Sequence, residues 1–477
     1  MAGFRDYASF DGMGLAELIR ARQVTAAEVL DAALERIERH DPKLNAVVHR
    51  MDAEARTTLT RGLPASPLSG IPTMLKDLNV FHAGQPCRNG SRLFADFVPR
   101  HDSTLVERYR AAGLVIVGRT NTPELGLNMS TEPVAHGPTR NPWNPNLSAG
   151  GSSGGAAAAV ASGMVPFAHA TDGGGSIRIP AANCGLVGLK PTRMRNPMGP
   201  DVAEGLGGLA VGHCVSRSVR DSAVLLDLTH GPATGDPYAA PPPLRPFRDE
   251  IGAKPGRLAI GLVTAAPAGT FVSPACTAAA EDAGRLCDSL GHVVEPTRIE
   301  LEVESLYDAL WVLFGASARN AIDLRLRALG RSLADGDVEP VTRDWAEVGQ
   351  RSTAVDYLRS VQAVHRAGRA LGRLMDRFDV LLMPTLADPP LPLGTVDMQK
   401  GDARRYVDDL FRRIPFTPLA NVSGQPAIQL PLHWSPAGLP IGVQFMGRFG
   451  DEATLLRLAS QLEAARPWVD RHPPIFG

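Results

Sequence analysis

The sequence predicts a layered α/β fold, and three observations carry that expectation. A helical segment, Ser103 to Ala112, is closed by Gly113 and followed at once by a fully apolar strand, Leu114 to Gly118. The same alternation returns further on, with a strand at Arg257 to Thr264, a helix at Pro274 to Leu290 and a strand at His292 to Glu295. A third apolar run, Asp379 to Thr385, has the continuous hydrophobic character of a strand buried on both faces.

Taken in order, the chain opens with a helix announced by Thr25 and Glu28, a capping-box pair. Val29, Leu30, Ala33, Leu34 and Ile37 form its apolar face, and the helix is expected to run toward His40 and stop at Asp41-Pro42. Pro64 to Gly70 reads as a loop, and Ile71 to Leu75 as a strand that delivers Lys76 to its end. After the Leu114 strand come polar, proline-punctuated loops: Arg119 to Glu124, Ser130 to Glu132 and Thr139 to Asn144. Gly231 to Pro246 is rich in proline, glycine and alanine, a linker-like composition, yet α/β order resumes directly after it. Glu302 to Leu329 and Thr353 to Arg377 are long helical patterns joined by a polar connection. Ala427 to Leu432 and Ile441 to Met446 are strands, read as a hairpin around Ser435 to Gly438, and Asp451 caps a last helix from Glu452 to Ala465.

Composition narrows the partners. There are 49 basic and 50 acidic residues, so no basic stripe for nucleic acid and no polybasic membrane anchor is expected. The N-terminus has no long apolar run of the secretory type, and no stretch approaches the ~20 apolar residues that span a bilayer. Five cysteines, Cys87, Cys184, Cys214, Cys276 and Cys287, lack metal-ligand spacing and read as buried free thiols in a reducing compartment. A cytoplasmic protein acting on small molecules is expected, and a homodimer is compatible with all of this.

The chemistry concentrates between Gly150 and Thr192, where Ser152, Ser153 and Ser176 stand among glycines. Glycine inside regular structure costs roughly 0.5 to 1 kcal/mol relative to alanine, so clusters of it mark sharp turns or close backbone approach. Ala156 to Ser162 is a strong helix former; Ser152 and Ser153 offer N-cap hydroxyls, and Gly163 can end the helix in a left-handed conformation. The second cluster, Gly173-Gly174-Gly175-Ser176, can aim consecutive N–H groups at one point, as an oxyanion hole requires. A serine nucleophile needs a base. His169 sits in an apolar run and reads as structural, whereas Lys76 becomes a competent base once burial depresses its pKa.

Together these segments resemble the amidase signature family: a lysine in Gly70-Ile-Pro-Thr-Met-Leu-Lys76-Asp77, then Gly150-Gly-Ser-Ser-Gly-Gly155, then Thr171-Asp-Gly-Gly-Gly-Ser-Ile-Arg178, then Gly188-Leu-Lys-Pro-Thr192. The likeness extends from Thr25 to Asn421-Val-Ser-Gly-Gln-Pro-Ala-Ile428 and Gly438-Leu-Pro-Ile-Gly-Val-Gln444. Thr131-Glu-Pro133, Glu204-Gly205, Ser216 to Arg220 and Ala465 to Trp468 look most like the 6-aminohexanoate cyclic-dimer hydrolases and related bacterial amidases. The resemblance implies a large twisted mixed β-sheet covered by helices on both faces, in one domain over 1–477. Within it, N-terminal helices span 10–60, the signature core 66–230, variable substrate-pocket helices 300–378 and a C-terminal core 379–477.

It also implies a serine hydrolase that cleaves a carbon–nitrogen amide bond through an acyl-enzyme, with Ser176 as nucleophile, Ser152 as bridging serine after a cis peptide from Gly151, and Lys76 as base. Gly173, Gly174, Gly175 and Ser176 would form the oxyanion hole, with Asp172 and Arg178 holding the loop from behind. Leu127, Asn128, Met129, Ser153 and Thr171 are substrate-side candidates. Trp311 and Phe314, three residues apart on a helix, face either substrate or core. The substrate would be a small amide, anilide, carbamate or nylon-type oligomer, and no cofactor or metal is needed. Three other readings stand beside this one. A glutaminase A subunit of a tRNA-dependent amidotransferase shares the signature, though Arg193 to Met198 departs from the pattern usual there. Gly150-Gly-Ser152-Ser-Gly154 also satisfies the α/β-hydrolase elbow, with His433 or His472 downstream, but leaves Lys76 unexplained. A glycine-rich phosphate binder would lack its lysine-bearing loop.

Overall fold

The computed structural model describes residues 4–476. Numbered in chain order, the strands are β1 Val47–Arg50, β2 Pro72–Lys76, β3 Val115–Thr120, β4 Arg140–Asn141, β5 Asn144–Ser148, β6 Phe167–Asp172, β7 Val187–Lys190, β8 Val211–Ser216, β9 Ala259–Leu262, β10 Val293–Pro296, β11 Val380–Pro384, β12 Ala427–Trp434 and β13 Pro440–Gly447. Eight of them form one mixed sheet in the order β10-β9-β11-β13-β12-β7-β8-β6. The β10–β9 and β9–β11 pairs are parallel and every other pair is antiparallel. The hairpin expected around Ser435 to Gly438 is the β12–β13 pair.

Alternation along β11 shows that this sheet is covered on both sides. Val380 and Leu382 pack with the helices Val219–Thr229, Pro274–Ser289 and Glu452–Ala465, while Leu381 and Met383 pack with Thr417–Ser423 and the end of Ala354–Leu374. Successive side chains of a strand point to opposite faces, so a continuous apolar run is what such a position demands.

A separate three-stranded sheet, β1-β3-β2, lies beside the β6 edge. The two are sewn by side chains: Thr73 Oγ1 donates to Phe167 O at 3.2 Å, and the Lys76 N–H donates to His169 Nδ1 at 3.3 Å. That seam sets the end of β2, with Lys76, next to the end of β6, where the triple-glycine turn begins. His169 is structural here, its imidazole pushed down to about 3 by burial and by the charges of Lys76 and Arg119.

The helix Gly154–Ala161 is buried along its whole length, packed by Met74, Val115 and Val117 on one side and Ala168 and Ala170 on another. Its glycines and alanines follow from the clearance. A Cβ on Gly155 would stand 2.6 Å from Ala46 O, so no side chain fits. A helix apolar all round is an interior helix.

Several expectations need correction. The helix capped by Thr25 and Glu28 runs from Ala26 to Leu44, two residues past Pro42, because burial of His40 and Leu44 continues its apolar face. It ends on left-handed Asn45, and the Asp41 carboxylate, rather than stopping the helix, accepts the N–H groups of Ala46 and Val47 at 2.7 and 2.9 Å. The polar connection after Leu329 contains a further helix, Pro340–Arg351, started by its proline and seated through Val341, Trp345 and Ala346. Helices Ala403–Arg413 and Thr417–Ser423 also went unread; the second has no periodic stripe because all its residues up to Val422 are buried. All five cysteines are buried and unpaired, and among the described residues no helix is long and apolar enough to cross a membrane.

Candidate active site

The site forms where β2, the Gly150 turn and β6 converge. Lys76, the last residue of β2, has no solvent exposure, and its Nζ donates to Ser152 Oγ at 2.7 Å and to Thr171 Oγ1 at 2.8 Å. No carboxylate is hydrogen-bonded to the amine among the described residues. Burial pushes its pKa well below the usual lysine range, with the charge of Asp172 pulling the other way. The amine is thus held between two hydroxyls with its protonated form disfavoured by burial.

Ser152 reaches that position through a cis peptide bond from Gly151, as the resemblance implied. The turn is held tightly from outside: a Cβ on Gly151 would stand 2.8 Å from Asn128 O, and Thr131 Oγ1 donates to Gly150 O at 2.9 Å while accepting the Gly154 N–H at 3.1 Å. Neither serine hydroxyl caps the following helix. Ser152 is taken by Lys76, and Ser153 Oγ bridges the N–H and C=O of Thr171, both at 3.3 Å. Ser153 therefore ties the turn to β6 and faces β6 rather than a substrate.

Beyond Thr171, the chain turns through Gly173, Gly174 and Gly175 to Ser176, which is half-buried. Asp172 anchors the turn. Its carboxylate accepts from the Gly175 N–H at 2.8 Å, the Ile177 N–H at 3.2 Å and twice from Arg178 at 3.0 Å. Burial alone would raise this carboxyl, but the Arg178 guanidinium and its hydrogen bonds hold it down at about 2. The fully buried Asp172–Arg178 pair thus stands behind the loop. One expected role changes: the Gly175 N–H is committed to Asp172, so it braces the loop instead of facing an oxyanion. Among the described residues no acceptor occupies the N–H groups of Gly173, Gly174 or Ser176. Gly175 has a φ of 131°, and a Cβ there would collide with Thr417 Oγ1, so only glycine fits.

Known proteins share the sequence and fold of this chain. The Amidase family model matches residues 28–456. The chain belongs to the amidase family. It is 38% identical to the 6-aminohexanoate-cyclic-dimer hydrolase of Pseudomonas sp. (strain NK87), with 98% of this chain and 97% of that protein covered. A solved 6-aminohexanoate cyclic dimer hydrolase superimposes with a TM-score of 0.94 at 36% identity, covering 98% of this chain and 99% of that one. A bacterial aryl acylamidase superimposes at 0.88, with 29% identity and 96% of each chain covered. The chain is an amidase, a hydrolase of amide bonds.

The amidase's remaining candidates divide sharply. Asn128 is spent on structure, its Nδ2 donating to Val396 O at 3.0 Å and its Oδ1 accepting the Ser130 N–H at 2.9 Å. Leu127 and Met129 are buried in the apolar cluster that contains Trp345, and Tyr406 Oη donates to Leu127 O at 2.8 Å. Trp311 and Phe314 both stack on Trp345, with ring centroids 5.5 Å apart in each pair. Only Phe314 reaches the loop: its Cζ stands 3.9 Å from where a Gly174 Cβ would be. Leu206, not foreseen, comes closer, with Cδ1 2.6 Å from the Cβ position of Gly173.

Three other residues were missed. Thr417 Oγ1 donates to Gly174 O at 2.8 Å, and Asn421 hydrogen-bonds Asp172. Asn421 opens the C-terminal stretch that matched the family without an assigned role, and that was the signal available. Gln444, in the second such stretch, accepts from Arg178 at 2.8 Å.

Proposed function

We propose that the amidase cleaves its substrate through a Ser176–Ser152–Lys76 relay. Neutral Lys76 Nζ takes the proton of Ser152 Oγ, Ser152 takes that of Ser176, and Ser176 Oγ attacks the amide carbonyl. The C–N bond breaks as the relay runs backward and delivers a proton to the leaving amine, and water then releases the acid from the acyl-enzyme. The N–H groups of Gly173, Gly174 and Ser176 face the oxyanion of each tetrahedral intermediate; removing one such donor typically costs about 2.7 to 4 kcal/mol of barrier. The observation that carries this reading is the 2.7 Å contact of a fully buried Lys76 with Ser152, since a buried amine gives the bridging serine the base it lacks.

Substrate class follows from the wall beside the loop. Leu206 and Phe314 bring apolar surface to the donors, which suits an unbranched hydrocarbon acyl chain on a small amide. The related hydrolase whose structure is known in complex with substrate acts on the cyclic dimer of 6-aminohexanoate. Cyclic and linear aminohexanoate oligomers are therefore the first compounds to try, followed by anilides, simple amides and carbamates. Amine release by the purified chain alone, absent in Ser176→Ala, is the expected result. Release that persists in Ser176→Ala would overturn the relay, and glutamine hydrolysis that needs a partner chain would favour the amidotransferase reading.

A further inference from the structure

One amide group links the loop proposed to hold the oxyanion to the apolar wall beside it. Asn421, on the short helix Thr417–Ser423, is 1% exposed. Its Nδ2 donates to Asp172 O at 3.0 Å, to Asp172 Oδ1 at 2.9 Å and to Leu209 O at 3.0 Å. Its Oδ1 accepts from Arg178 at 2.8 Å. The Asp172 backbone is the last fixed point before Gly173. Leu209 closes the turn at Leu206–Gly208, in which Leu206, Gly207 and Gly208 all have positive φ, and this turn lays Leu206 against Gly173. One turn earlier on the helix, Thr417 holds Gly174 O. From the other side, Arg193 fastens the helix itself, donating to Asn421 O at 2.8 Å and Val422 O at 3.1 Å.

We infer that Asn421 is a positioning residue: it fixes the direction of the Gly173 and Gly174 N–H groups and, through Leu209, the distance of the Leu206 wall from them. This rests on the reading of Ser176 as nucleophile. A side chain other than Asn cannot reproduce the arrangement. Aspartate has no hydrogens to donate, and an alanine leaves Asp172 O and Leu209 O without that donor. Asn421 makes no hydrogen bond to Lys76 or Ser152, and Asp172, whose charge acts on Lys76, keeps its two hydrogen bonds from Arg178 when Asn421 is replaced, so the base keeps its charged neighbour. The effect is confined to where the oxyanion and the acyl group sit.

The test uses the full-length enzyme with a substrate it turns over, rates being counted per titrated active site. Asn421→Ala is expected to lower kcat on the order of 10- to 100-fold, since small displacements of a catalytic constellation have costs of that size. Affinity for a trifluoromethyl ketone carrying the same acyl group, which needs the oxyanion donors, falls by the same factor. The acid-side midpoint of the pH–rate profile stays in place. Thr417→Val gives the same signature more weakly, Thr417→Ser restores it, and this pair decides the matter if Asn421→Ala does not fold. A variant whose kcat and ketone affinity stay within about twofold of the parent while only Tm falls would overturn the inference. Amine release surviving in Ser176→Ala would instead overturn the nucleophile assignment, so the two failures are distinguishable.

Discussion

The glycine loop at 172–176 and the helical block at 303–374 meet where Phe314 approaches Gly174, and they are built on opposite terms. In the loop, hydrogen bonds within a buried shell do the holding: Asp172, Arg178, Asn421 and Thr417 are all buried. A Cβ added at Gly173 or Gly175 would collide with Leu206 or Thr417, whereas one at Gly174 would meet only Phe314, at 3.9 Å. In the helical block, Trp311, Phe314 and Trp345 meet as stacked rings within an apolar cluster. Dispersion and area burial are non-directional and tolerate substitution of similar volume, whereas hydrogen bonds between buried groups do not. On the proposed relay, substitutions of similar volume in the helical block would alter which acyl groups fit while leaving the loop's hydrogen bonds in place.

The largest expected effect breaks the loop's side of that contrast. Ser176→Ala and Lys76→Met should each lower kcat by about four orders of magnitude or more while leaving the fold intact, as measured by amine release alongside thermal unfolding. Next comes Gly175→Ala, which forces a Cβ onto Thr417 at a φ that alanine rarely adopts. A loss on the order of 100-fold in kcat is expected, accompanied by destabilisation of about 1 to 3 kcal/mol in denaturant unfolding. Wild-type activity in this variant would show that the loop is not rigid.

The pH profile sharpens the comparison. In the proposed relay Lys76 acts when neutral, and burial lowers its pKa. Activity is thus low when the amine is protonated, rises as pH increases through its midpoint, and reaches a plateau well below the ~10.4 of a free lysine. A rate that falls steadily between about pH 6 and 9 would contradict the base. Asp172 carries its pH dependence on the stability axis, in the same direction. Its pKa is depressed to about 2, so the stability it contributes is present above the ordinary carboxylate range and is lost as pH falls toward that value.

Smaller effects belong to the helical block and the periphery. Phe314→Ala should shift the ratio of kcat/KM between long and short acyl chains by roughly 10-fold, with kcat for the smallest amides little changed. Equal losses for every substrate would place Phe314 on the loop's side of the contrast. Thr25→Ala removes an exposed cap far from the site, with an expected cost of about 1 kcal/mol in unfolding and no change in turnover.

Much of the site was legible because its residues carry local signals. Lys76 ends an apolar strand segment, Ser152 and Ser176 stand in glycine clusters, and Asp172 and Arg178 flank the loop with opposite charges. Helix Pro340–Arg351 does carry a local signal, Val341, Trp345 and Val348 at helical spacing behind a proline, which reading the segment as a polar connection passes over, whereas Thr417–Ser423 has no periodicity to detect. The commitment of the Gly175 N–H to Asp172, the diversion of Ser153 from helix cap to β6, and the structural use of Asn128 follow from neighbours distant in sequence or from turn geometry that no spacing encodes.

From sequence alone came the layered α/β class, the glycine loops and Lys76 as the candidate base, because strand and helix periodicity, glycine clustering and motif spacing are properties of neighbouring residues. Tertiary structure alone decided how Lys76 loses its affinity for protons, which backbone donors remain free beside Ser176, and that Thr417 and Asn421 carry the loop. Those depend on burial and on hydrogen bonds closing between segments as far apart as Asp172 and Asn421, and such contacts exist only once the chain has folded.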